Sequence, residues 1–126
     1  MRIKVRLGRD TVIAFEEVKN ILYKTEGNRT MKGFIIGEAW KKIKRESENI
    51  DWVKVGCEKI PGVSNNNSNV VGVQTTLNID EEILDSLKEF QYSLSNKNKQ
   101  IYYFPYIIKL VLFAFILDYN DKLPLL

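Results

Sequence analysis

The stretch Val70–Phe90, VVGVQTTLNIDEEILDSLKEF, changes period in its middle. Val71, Val73, Thr75, Leu77 and Ile79 alternate with Gly72, Gln74, Thr76 and Asn78, the two-residue repeat of a strand with one buried face. Asp80 is then a good N-cap, Glu81 and Glu82 fill a first helical turn, and Ile83, Leu84, Leu87 and Phe90 follow at three- and four-residue steps. An isolated strand cannot satisfy its own backbone groups. With no hairpin partner behind it, this one must pair with a distant part of the chain or with another copy.

The other end of the chain offers that partner. In MRIKVRLGRDTVIAFEEVKNIL, Ile3, Val5 and Leu7 alternate with Arg2, Lys4 and Arg6, and a helix again follows, capped by Asp10 or Thr11. Its apolar stripe is Ala14, Phe15, Val18, Ile21 and Leu22. A second helix comes after each of these units. One starts at Thr30 as N-cap and carries Phe34, Ile35, Ile36, Ala39, Trp40 and Ile43; the other starts at Pro105, whose missing N–H costs nothing at a first helical position. The order is strand, helix, helix, linker, strand, helix, helix, an architectural repeat weak in identity, with a longer strand-to-helix turn in the first copy.

This pattern resembles the ribbon-helix-helix family of DNA-binding proteins, with TTLNIDEEILDSL the stretch most like it. The resemblance implies an α+β, mostly α fold: two strand-helix-helix repeats interlock as a pseudo-dimer, and their strands form a two-stranded antiparallel ribbon that enters the major groove. The repeats would span residues 1–46 and 72–121, with a linker at 47–71 and an apolar tail at 122–126. Two copies fused in one chain are similar to transcription regulators of archaeal filamentous viruses.

The charge distribution fits such a reading better than the total. Net charge is only +3, yet residues 1–46 hold 12 Lys or Arg against 6 Asp or Glu, while the rest holds 7 against 10. Arg2, Lys4 and Arg6 would project from one face of the first strand and Gln74, Thr76 and Asn78 from the corresponding face of the second. These six are the expected base readers. Gln and Asn suit adenine, and Thr also reaches a thymine methyl. The plain alternative for the cations is an edge strand protected from aggregation by charge. If the strands pair within one chain, the ribbon has a cationic half and a neutral polar half; if like pairs with like, each ribbon of a dimer is symmetric. The 25-residue linker has a reach of roughly 25–30 Å as coil, enough for the pairing within one chain that we favour.

Phosphate contacts are expected at the starts of the second helices, where free N–H groups and the helix dipole favour an anion. Asn28, Arg29, Thr30 and Lys32 would hold one DNA strand, and Lys97, Lys99, Tyr102 and Tyr103 the other. In the linker, Trp52 to Val55 is a candidate short strand with Trp52 docked on the core, while SNNNSN, Ser64–Asn69, is a flexible connector.

The apolar run Ile101–Leu117 is broken by Pro105 and Lys109 and is too short from Pro105 onward to cross a bilayer, so a central core helix is expected and no membrane partner. Leu123, Leu125 and Leu126 add apolar surface that would serve homodimer formation or higher self-association on DNA. Enzymatic function is not expected. There is no His, no Gly-rich phosphate loop and no Cys pair, Cys57 has no base to activate it, and Glu81, Glu82 and Asp85 suit a helix dipole. No cofactor or metal is implied. One Cys and no signal peptide predict a cytoplasmic protein, in the host cytoplasm if viral. The expected partner is double-stranded DNA and the expected function a sequence-specific transcription regulator, by default a repressor. The alternatives are an accessory DNA-binding protein of plasmid transfer or segregation, and a protein-interaction module such as an antitoxin or inhibitor.

Overall fold

The computed structural model describes residues 1–23 and 31–126. Strand β1, Arg2–Leu7, leads into helix α1, Arg9–Tyr23, and helix α2 runs over Lys32–Ile43. A 3₁₀ segment, Lys44–Asn49, and a short helix α3, Trp52–Cys57, follow. Strand β2, Val73–Asn78, then leads into α4, Glu81–Asn98, and α5, Phe104–Tyr119. The fold is α+β and mostly helical.

β1 and β2 form one two-stranded antiparallel sheet, so the ribbon is made within a single chain. Ile3 faces Leu77, Val5 faces Thr75 and Leu7 faces Val73, and this side lies on the helices. Val5, Leu7 and Leu77 are buried, whereas Val73 at the ribbon's end is 36 % exposed and Val71 lies outside the strand. The second strand is therefore shorter than its alternation predicts. The ladder extends one pair the other way, with the Ile79 N–H donating to the Met1 carbonyl at 2.9 Å and the Met1 nitrogen to the Ile79 carbonyl at 3.0 Å.

The helices that follow the strands begin differently from one another. Asp80 caps α4 as expected, its carboxylate accepting from the Glu82 N–H at 3.0 Å. α1 starts earlier than expected: the Gly8 carbonyl accepts the Val12 N–H at 3.1 Å, which puts Asp10 in the first turn and buries Thr11. The strand-to-helix turn is thus Gly8 alone in the first case and Ile79–Asp80 in the second, the reverse of the expected order.

α5 occupies the centre. Its residues from Leu110 to Leu117 are all buried, together with Ile107 and Ile108, and it packs mainly on α1 and α2. Apart from Ala114, each such side chain contributes about 1.5–3 kcal/mol on full burial, so this helix dominates the core. It begins at Phe104, one residue before Pro105, with the proline in the second position. Among the described residues no helix is long and apolar enough to cross a membrane.

The segment between α2 and β2 is built into the core. Where the sequence predicts a short strand, Trp52–Val55 is helical, because the Asp51 side chain accepts the Lys54 N–H at 3.2 Å and a helix puts Trp52 and Val55 on one buried face. Trp52 docks as expected: its ring centroid lies 4.7 Å from that of Phe90, and Phe90 lies 4.9 Å from Trp40. Ile50, Ile60 and Val63 are also buried. The Asn-rich connector is tied down by Arg9, whose guanidinium donates to the Asn66 carbonyl at 2.8 Å and the Ser68 carbonyl at 3.1 Å. The tail folds back too, with Asp51 N–H donating to the Pro124 carbonyl and Leu126 N–H to the Asn49 carbonyl.

Candidate nucleic-acid interface

Alternation places Arg2, Lys4 and Arg6 on the side of β1 away from the helices, and the register sets them opposite Asn78, Thr76 and Gln74. All six side chains are exposed. Among the described residues none of them has a hydrogen-bond or ion-pair partner. Three cations therefore stand about 7 Å apart along one strand with no carboxylate across from them. Charges opposed by neutral amides and a hydroxyl form a surface whose own attraction is unsatisfied. A two-stranded ribbon also has the width that B-DNA's major groove admits.

Each end of the ribbon meets the start of a helix. Gly33, in the first turn of α2, lies against the Asn78 main chain at the end of β2. Met31 holds the cap position without a side-chain hydrogen bond, and its carbonyl takes the N–H groups of Phe34 and Ile35. The N–H groups of Lys32 and Gly33 are left outside the helix ladder beside the ribbon. Thr30, Arg29 and Asn28, the other expected phosphate ligands here, lie outside the described residues.

At the opposite end, Pro105, Tyr106 and Lys109 of α5 line a shallow depression with Gly8, Arg9, Asp10 and Thr11. The Tyr103 carbonyl accepts from Tyr106 and Ile107, and Pro105 has no N–H, so this helix start offers only the Phe104 N–H. Tyr103 is exposed at the cap position. Tyr102 stacks on Tyr106 with centroids 5.6 Å apart, and its hydroxyl accepts from the Asn98 amide at 3.1 Å. Burial, then Tyr102 and Cys57, push the Tyr106 phenol above its ordinary range. The Lys109 ammonium lies 5.8 Å from the Tyr106 ring and 5.4 Å from Phe113, held by aromatic faces on a half-buried stem.

The two other expected phosphate ligands, Lys97 and Lys99, lie in the last turn and at the C-cap of α4. Lys97 lines a groove of about 790 Å³ with Lys44 and Arg45, at the end of α2 opposite the one that meets the ribbon. A helix of 12 residues is roughly 18 Å long, which separates the two places. Lys99 caps α4 in the left-handed conformation, φ 52°, with Gln100 N–H donating to the Ser95 carbonyl at 3.0 Å. Two residues beside the ribbon's ends are not evident from the sequence: Gly33, which lets α2 reach the ribbon, and Lys109. A glycine one residue into a helix is the only sign of the first, and the second shows in the sequence only as a break in an apolar run.

No protein-family model, no curated protein and no solved structure matches the chain.

Proposed function

We propose that this protein is a sequence-specific double-stranded DNA-binding transcription regulator that reads the major groove with the outer face of its β-ribbon. The observation that carries the reading is the row of six exposed, unpartnered polar side chains on one face of a ribbon whose other face is core. Arg and Lys pair with guanine acceptors, Gln and Asn with adenine, and Thr with thymine. Flanking helix starts, with Lys32 at one end and Tyr103 at the other, hold phosphates and fix the ribbon's register.

The same reading treats the chain as a ribbon-helix-helix pseudo-dimer. It is supported by the crossing of its halves: α2, which follows β1, meets the end of β2, while α5, which follows β2, meets the end of β1. Bound at a promoter, the protein represses by blocking polymerase.

Selection from a random duplex pool tests this, followed by anisotropy titration of the winning site and a scrambled control at several salt concentrations. Enrichment of one motif with a steep salt dependence is expected, since each neutralised phosphate releases counterion. No enrichment and no salt-dependent binding would leave the ribbon as a scaffold only.

A further inference from the structure

Resting on that reading, we infer that one chain recognises a non-palindromic duplex in a single orientation, with β1 reading guanines along one side of the groove and β2 reading A·T pairs along the other. An antiparallel ladder has a local dyad at each pair of facing residues. The dyad through the central pair, Lys4 and Thr76, exchanges Arg2 with Gln74, Lys4 with Thr76 and Arg6 with Asn78. At all three positions it replaces a cation by a neutral side chain. The dyad of B-DNA therefore meets a protein surface that breaks it at every reading position.

Arg and Lys donate without accepting, and O6 and N7 of guanine are the paired acceptors that suit them; Gln and Asn both donate and accept, as adenine does through N6 and N7. The two strands thus favour different bases, and turning the protein round on its site would put a cation where a neutral side chain belongs, and the reverse, on both sides of the groove. The helix starts break the dyad in the same sense. α2 brings the N–H groups of Lys32 and Gly33 to one end, and α5 brings proline and one N–H to the other.

The test symmetrises the ribbon in both possible ways and repeats the duplex selection. Arg2→Gln, Lys4→Thr and Arg6→Asn give both strands the same neutral face; Gln74→Arg, Thr76→Lys and Asn78→Arg give both the same cationic face. All six positions are exposed and unpartnered, and the cationic variant retains the charge on which affinity depends. The wild-type chain should enrich an asymmetric motif and bind palindromes made from either half at least about tenfold more weakly. Each symmetrised variant should enrich a palindrome. A palindrome from the wild-type chain, or the same asymmetric motif from all three, would overturn directional reading while leaving DNA recognition standing. Absence of any enriched or salt-sensitive binding would remove DNA recognition itself, and the inference with it.

Discussion

Gly33 and Asn78 touch through their main chains: a Cβ built on Gly33 would overlap the Asn78 carbonyl oxygen and lie 2.6 Å from its carbon. This contact joins the start of α2 to the end of the strand that carries Gln74, Thr76 and Asn78. Alanine is the better helix former by about 1 kcal/mol, but overpacking costs about 1–3 kcal/mol, and here the obstacle is strand backbone that cannot rotate away. Gly33→Ala is expected to lower stability by about 1–2 kcal/mol in urea denaturation. A midpoint at or above wild type would mean that helix and strand separate without cost.

Trp52 tests whether the segment between α2 and β2 belongs to the cooperative core. Its ring is 6 % exposed, stands against Phe90, and donates Nε1–H to the Ser47 carbonyl at 2.8 Å. Trp52→Ala is expected to cost about 3–5 kcal/mol, a large part of the roughly 5–15 kcal/mol that holds a typical domain together. Circular dichroism during chemical denaturation measures this, and a loss below about 1 kcal/mol would place Trp52 outside the core.

What can be read from the sequence follows from where its signals are local. Period-two alternation marks both strands, and Asp80 ahead of Glu81 and Glu82 marks the start of α4, because capping and alternation act over a few residues. WVKV is ambiguous: four residues fit either period, and the deciding cap, Asp51, stands just ahead of them. Which strand pairs with which is open in the sequence, since it depends on closing a loop from Leu7 to Val73. The places of Lys97 and Gly33 depend on how helices cross, which no local pattern encodes.

Arg9 holds the Asn-rich turn through two main-chain carbonyls. Arg9→Ala should release residues near Asn66–Ser68 without unfolding the core, because Arg9 is only half-buried and its salt bridge to Asp10 spans 3.5 Å at the surface. Hydrogen exchange should quicken over residues 64–70 with global stability lowered by no more than about 1 kcal/mol. Exchange unchanged in that segment would show that the turn holds itself.

Tyr106 sets a sign for alkaline pH. Its phenol titrates above the ordinary value of 10.0 in the folded chain, so the fold favours the neutral form. That contribution is fully present below the unfolded pKa and is lost as pH rises through the raised folded one. Tyr106→Phe should therefore soften the fall in stability above about pH 10, by a small amount given the ring's partial exposure. Stability profiles of the two proteins that stay parallel across that range would contradict burial as the cause.

The outer face of the ribbon should separate function from folding. Arg2, Lys4 and Arg6 have side chains that support nothing in the fold, so replacing all three by Ala should leave the denaturation midpoint within about 0.5 kcal/mol of wild type. The same change should weaken duplex binding and flatten the salt slope by about one unit for each phosphate that is no longer neutralised. Replacing Gln74, Thr76 and Asn78 by Ala should instead lose sequence preference more than total affinity, at about 1–3 kcal/mol for each good base pairing, with the salt slope kept. The division follows from charge: counterion release needs cations, whereas neutral amides discriminate bases without displacing ions. Anisotropy titrations of the selected and scrambled duplexes at several salt concentrations measure both quantities. Two triple variants that bind as wild type does would move recognition off the ribbon.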